Sequence, residues 1–382
     1  MPRPPDFAPL TRAMPGAVFS PIARRMQEVP GGVCPLHVGD TWLPPFEGAR
    51  MEDLREADHP GLHRYSDTRG IPALVDAIVE KFRARNAPGC DRENVLVTAG
   101  ATGALGAALG ALTSPGDEVL VLAPFWPLIR GIALAFRAVP VEVPFYDRVT
   151  SASDAVAAVG ERLTSRTVAV YVSTPSNPTG RVLPADQLEA LADFAARQGL
   201  WLLADEVYED YVYRGSHVSI ARYAPERTLS VFSFSKSYGM AGNRVGYLVG
   251  PAGAIAQALK ISTHTFYAAP TGGQIAGLRV LRDGDAWLAD ARQRYREVAE
   301  RTAGLLGLPA PAGATYHFLD VGRRLDERGV WGFLEDCVDR GVALAPGPSC
   351  GAGYDRFVRL CYTAAPPDAV TAAVNRVAEL LA

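Results

Sequence analysis

Short apolar, β-branched runs recur through the middle of the chain, each bounded by Gly, Pro, Asp, Asn or Ser. NVLVT (94–98), EVLVL (118–122), VAVYVS (168–173) and LWLLAD (200–205) have strand length and little polar alternation, so they read as buried strands. LSVFS (229–233) and RVGYLVG (244–250) continue the set. Between them, residues 102–113, 126–138, 153–163 and 186–198 have the length and periodicity of helices. This alternation predicts an α/β layer with a mostly parallel sheet flanked by helices, and a ligand crevice beyond the carboxyl ends of its strands. After residue 250 the texture changes to long charged helices, notably 284–306, and then to a mixed α+β segment, which predicts a second, smaller α+β domain. The first ~40 residues are rich in Pro and Gly without a strand signal. The expected division is an N-terminal segment 1–45, packing on the small domain or a partner subunit, a large domain 46–280 and a small C-terminal domain 281–382.

Composition narrows the classes. A chain of 382 residues exceeds the size of one growing core, so two lobes sharing a site are expected. Hydrophobic residues at 48%, charged residues at 21% and a net charge of -3 give no bias toward nucleic acid or an anionic membrane, and neither partner is expected. The first residues lack the apolar run of a signal peptide and no stretch approaches a membrane span, so a cytoplasmic location is expected. Five scattered cysteines without metal-ligand spacing read as free thiols, with no metal site. Of 38 basic residues only three are lysines, Lys81, Lys236 and Lys260. A lysine kept against that bias points to amine chemistry, because a guanidinium stays protonated and is no amine nucleophile.

Lys236 sits in SFSKSYGMAGNRVGY (233–247), just after a predicted strand, with hydroxyls at Ser233 and Ser235 and Arg244 eight residues on. That set suits an aldehyde carrying an anion: an amine for the imine, hydroxyls and a guanidinium for a phosphate. An S-x-x-K spacing also occurs in unrelated serine enzymes. In TAGATGALGAALGAL (98–112) a strand turns into a helix through small residues, so Gly100, Ala101 and Thr102 offer backbone N–H groups and the positive end of a helix dipole to a phosphate. STPSNPTGRVLP (173–184) can aim Asn177 into the crevice. LLADEVYEDYVY (202–213) ends a strand in Asp205, with Tyr208 three residues on, although Asp205 could also serve as a helix N-cap. In APFWPLI (123–129), Trp126, or alternatively Phe125, follows a strand. Lys81 and Lys260, in amphipathic helices, and Glu206 and Glu209 read as solvated.

Together these segments resemble the class I/II aminotransferases, of fold type I of the pyridoxal-phosphate (PLP) enzymes, from about residue 36 to the C-terminus. The resemblance implies that Lys236 is the Schiff-base lysine, that Asp205 faces the pyridine nitrogen, and that Asn177 and Tyr208 bond the phenolic oxygen. It further implies that Trp126 stacks on the ring and that the 100–102 turn, Ser233, Ser235 and Arg244 hold the phosphate. HRYSDTRG (63–70) resembles a segment whose Tyr, here Tyr65, reaches the phosphate of the neighbouring subunit, which implies a homodimer with shared active sites. Arg359, in APGPSCGAGYDRFVRLCY (345–362), matches the arginine that binds the substrate α-carboxylate, and Gly39 in LHVGD (36–40) would lie beside it.

The implied reaction is ping-pong transamination between an L-amino acid and a 2-keto acid, with Lys236 as anchor and base and Asp205 and Tyr208 assisting. Two common handles for a distal carboxylate are missing: His264 and Thr102 stand where relatives carry Arg and Lys. A neutral or aromatic donor is therefore preferred. His264 is either a substrate contact or a loop residue, and Cys350 reads as a small buried thiol. Two alternatives stay open: another PLP reaction such as β-elimination, Cα-oxidation or cyclisation, and a non-catalytic PLP-binding regulator.

Overall fold

Six of the seven strands in the larger sheet fall on the apolar runs: β1 (Val95–Thr98), β2 (Glu118–Ala123), β4 (Thr167–Ser173), β5 (Trp201–Asp205), β6 (Thr228–Ser233) and β7 (Gly246–Val249). The seventh, β3 (Val139–Pro144), has no such run; its sequence VPVEVP carries two prolines, which a strand tolerates at a sheet edge. The computed structural model describes residues 5–16, 18, 19, 21–86 and 89–382. The strand order is β1-β7-β6-β5-β4-β2-β3, with β3 at one edge. Only β7 runs antiparallel to its neighbours, so the carboxyl ends of β1, β2, β4, β5 and β6 share one edge.

Helices cover both faces. Gly100–Leu112 and Ala252–Thr265 pack over one face with Leu96, Val121, Leu203 and Val231 beneath; Ala152–Gly160 and Ala185–Gln198 cover the other, over Leu122, Val170 and Leu202. Each such fully buried side chain contributes about 1.5–3 kcal/mol of transfer free energy. The small-residue composition of Gly100–Leu112 has a packing cause: a Cβ on Gly110 would fall 2.8 Å from the Phe136 ring and 2.9 Å from Ile261. The expected helix at 126–138 is shorter, Leu128–Ala135, because Trp126 and Pro127 form the turn out of β2.

A smaller antiparallel sheet, β8 (Tyr316–Asp320), β10 (Phe357–Cys361) and β9 (Ala345–Pro346), is packed by the helices Asp285–Leu305, Gly329–Asp339 and Pro367–Leu381. The helix Ala23–Glu28 lies against Gly329–Asp339, where Arg25 grips Asp339 through both oxygens at 2.7 and 2.6 Å. Cys34 bridges to Val342, and the chain then runs through His37 to Gly39 at the junction of the two sheets.

Three charged residues expected in solvent are buried instead. Lys81, whose side chain is 14% exposed, pairs with Glu209 at 2.7 Å and Asp210 at 3.4 Å, while Arg85 reaches the same two carboxylates. The polar face of Pro72–Arg85 is covered by the loop after β5, and two cations balance two anions there. Glu206 is fully buried and accepts from Ser219 Oγ at 2.7 Å, with His217 Nε2 at 3.3 Å. Lys260 does stand on the surface, beside Gln257.

Candidate active site

Five strand ends, two strands of the small sheet and the segment at Gly39 enclose a cavity of about 260 Å³, lined by Gly39, Ala101, Thr102, Trp126, Asn177, Asp205, Val207, Tyr208, Ser233, Ser235, Lys236, Ala241, Arg244, Tyr316 and Arg359. At one end, β1 turns into Gly100–Leu112 with Ala99 at the N-cap and no side chain capping the first turn. The N–H groups there are free for an anion. Gly100 has φ +69°, and a Cβ on it would fall 2.6 Å from Arg244 Nη2, so only glycine lets the guanidinium stack behind the turn. Arg244 is held by Nη1 donating to the Ala241 carbonyl at 2.8 Å. Ser233 caps the short helix Phe234–Ser237 by accepting from the Ser235 N–H. Positive dipole, guanidinium and two serines thus converge on one anion-sized corner.

The opposite wall is anionic. Asp205 ends β5 and is buried, which pushes its carboxyl up to about 6; Glu206 adds to the rise, while the Tyr171 hydroxyl, 2.5 Å from Oδ2, and the Val207 N–H oppose it. Lys236 stands between the two in the strand order, on the helix Phe234–Ser237 that follows β6, with Nζ donating to the Gly39 carbonyl. Burial, helped by Arg359 and Arg244, lowers its pKa, against Cys361 and Asp40, which raise it. The Tyr211 hydroxyl lies 2.9 Å from both the Lys236 and Ser237 carbonyl oxygens and fixes this turn.

Arg359 comes from β10 and is buried. Nη1 donates to Asn177 Oδ1 at 3.0 Å, Nη2 to the His37 carbonyl at 2.9 Å, and the guanidinium carbon sits 4.6 Å above the Tyr316 ring. Its Nε–H is buried without a partner, so the fork retains donor capacity suited to a carboxylate. Tyr316 shares a 2.6 Å hydrogen bond with Tyr208. A Cβ on Gly39 would overlap the Tyr316 hydroxyl, which accounts for glycine there.

Twelve of the fourteen residues singled out from the sequence line this cavity, and Gly100 lies directly behind it. Trp126 faces the cavity whereas Phe125 is wholly within the core. Tyr65 stands outside, 87% exposed, with its ring 4.9 Å from that of Tyr267. His264 is also outside, exposed in the last turn of Ala252–Thr265 with Nδ1 2.8 Å from the Lys260 carbonyl. Cys350 is buried and lines no part of the cavity. Sequence reading missed Tyr316 and Tyr171. The first lies in a strand whose signal was weak; the second sits within an apolar run where aromatic residues normally serve the core.

The residues fit a phosphorylated aldehyde cofactor on three structural counts: an uncapped helix N-terminus backed by Arg244, a buried carboxylate, and a buried amine of lowered pKa between them. Among the described residues no cluster could hold a metal ion, and no helix is long and apolar enough to cross a membrane.

Residues 33–377 match the family model described as aminotransferase class I and II. The aspartate/prephenate aminotransferase of Thermus thermophilus is 35% identical over 329 residues, 81% of this chain and 82% of that protein. The aromatic-amino-acid aminotransferase 2 of Thermococcus litoralis is 31% identical over 351 residues, covering 87% and 88%. In structure, the aspartate aminotransferase of Thermus thermophilus with maleate superposes with a TM-score of 0.87 at 31% identity, over 98% of this chain and 100% of that one.

Proposed function

The chain belongs to the class I and II aminotransferases, enzymes that pass an amino group between an amino acid and a keto acid, and we propose that it does so with pyridoxal 5'-phosphate in the cavity around Lys236. The observation that carries this reading is the placement of one buried, pKa-lowered amine between an anion corner and a buried carboxylate. The 100–102 turn, Ser233, Ser235 and Arg244 would hold the phosphate. Asp205 would face the ring nitrogen, Asn177 and Tyr208 the ring hydroxyl, and Trp126 the ring face; Lys236 would hold the aldehyde carbon covalently. When bound, the cofactor supplies a ring that accepts electrons from the substrate Cα.

The chain's own residues do the rest. Arg359 takes the α-carboxylate through its free Nε–H edge and fixes the amino acid with its Cα–H toward Lys236. Lys236, whose amine is freed when the incoming amino group takes its place, has its pKa lowered by burial, so it is neutral over more of the working pH range than a surface lysine and would remove the Cα proton. Tyr208 and Tyr316, both buried, hold one another and keep water from that proton.

The donor is a neutral or aromatic amino acid. The cationic side chains of the cavity are Lys236, Arg244 and Arg359, each with a role above, and Thr102 offers no charge to a distal carboxylate. The assembly is a homodimer in which Tyr65, exposed and outside its own cavity, completes the phosphate corner of a second subunit.

The scarcity of lysine makes a direct test available. Borohydride reduction of the loaded protein, followed by peptide mass mapping, is expected to fix the cofactor on Lys236 and to leave no adduct in Lys236→Ala. An adduct on Lys81 or Lys260, or one surviving in the variant, contradicts the reading.

A further inference from the structure

Tyr171 is a phenol in a place that packing alone would fill with Phe. It lies on β4, fully buried among Val121, Phe125, Leu203 and other apolar side chains, in the core beneath Gly100–Leu112. β4 and β5 run parallel with Ser173 opposite Asp205 and Tyr171 opposite Leu203, so the ring extends along the sheet toward the strand ends. Its hydroxyl comes to rest 2.5 Å from Asp205 Oδ2. Burying a hydroxyl in such surroundings costs free energy unless it is bonded, and here the bond is to the carboxylate that lines the cavity.

We infer that Tyr171 is a positioning residue for Asp205: its O–H engages one carboxylate oxygen from behind, leaves the other facing the cavity, and keeps the group ionised. The inference rests on the cofactor reading above, because it is a ring nitrogen that the free oxygen would meet. Two features of the surroundings give the bond something to oppose. Burial and the neighbouring Glu206 both favour the protonated carboxyl. The donors on the other side are Tyr171 and, at a weak 3.4 Å, the Val207 N–H. Tyr146 and Ser173 pack alongside, with the Tyr146 hydroxyl 2.6 Å from the Ser173 carbonyl, while Tyr208, Lys236, Arg244 and Arg359 face the same cavity. Burial beside an anion holds the Tyr171 phenol well above its usual range, so it remains a donor at every pH the protein works at. The tyrosine therefore acts on the cofactor through Asp205 alone, and its contribution depends on that carboxylate.

The experiment measures pyridoxal phosphate affinity of the cofactor-free protein from pH 5.5 to 9, by fluorescence titration, for four forms: unsubstituted, Tyr171→Phe, Asp205→Asn and the double variant. Loss of a hydrogen bond to a charged group predicts affinity about tenfold weaker at pH 7 in Tyr171→Phe. The pH below which affinity falls should also move upward by about one unit, because the carboxylate protonates sooner. In the Asp205→Asn background, where the phenol meets only a neutral amide, the same change should cost much less affinity and move no pH threshold. An unchanged pH profile in Tyr171→Phe overturns the inference, as does an equal loss in both backgrounds, which marks a packing role. Near-ultraviolet dichroism identifies a variant that has lost its fold; in that case Tyr171→Leu, an apolar side chain with no donor, is expected to repeat the raised pH threshold, and a normal threshold overturns the inference. Failure of the unsubstituted protein to take up pyridoxal phosphate overturns the cofactor reading and this inference together; normal uptake with an unaltered Tyr171→Phe overturns this inference alone.

Discussion

At Asp205 the requirements of folding and of chemistry oppose one another. Burial moves its carboxyl up to about 6 from the ordinary 3.8, so the folded chain binds that proton more tightly than the unfolded one does. Its contribution to stability is greatest in acid and is lost as pH rises through about 6; above that, an ionised carboxylate in a dry site is a net cost. Asp205→Asn removes the cost and can still accept from Tyr171. In the cofactor-free protein the variant should therefore be more stable at pH 8 by on the order of 2–3 kcal/mol, with the gain vanishing by about pH 4. Chemical denaturation across that range is the check, and a variant less stable at pH 8 contradicts the assignment. Lys236 was legible at this scale without any structure, because a chain with three lysines places one among serines at a strand end. Tyr171 was not legible: within VAVYVS its spelling is that of any core aromatic, and the bond that distinguishes it runs to a residue 34 positions away.

Among the elements, the helix Pro72–Arg85 shows what periodicity leaves out. Its amphipathic pattern is real, but a polar face in sequence is wet only if nothing covers it. Here Lys81 and Arg85 meet Glu209 and Asp210 from the loop after β5, and Asp210 is held below the usual carboxylate range by those two cations despite its burial. This network also braces the active site, since the same loop carries Tyr208 and Tyr211. Lys81→Met should destabilise the protein by about 3 kcal/mol by leaving an uncompensated buried carboxylate, and adding Glu209→Gln should recover much of the loss. Thermal and urea unfolding of both variants tests this; a neutral Lys81→Met places the lysine in solvent after all. The strands themselves were largely visible, because buried parallel strands are continuous apolar runs. Two proline positions concealed β3, and β9, two residues long, carries too little pattern to be read.

For the whole molecule, the site exists only because distant stretches close on one another. Gly39, the loop after β4, the end of β5, the Lys236 turn and β10 span more than 300 residues of sequence, and Arg359 ties three of them, joining β10 to the loop after β4 through Asn177 and to the Gly39 stretch through the His37 carbonyl. Alternation of strands and helices predicted where a crevice would open, but only resemblance to a family indicated that the small sheet would carry Arg359 into it. Tyr316 completes that wall and was overlooked because the final hundred residues lack a clear period. On this reading the enclosure performs one half of an amino transfer and then waits for a keto acid. The decisive measurement is to mix the pyridoxal-phosphate-loaded protein with single amino acids in the absence of any keto acid. One equivalent of keto acid per active site should form and then stop, faster with aromatic or neutral donors than with aspartate; continued turnover, or release of ammonia or hydrogen peroxide, would contradict it.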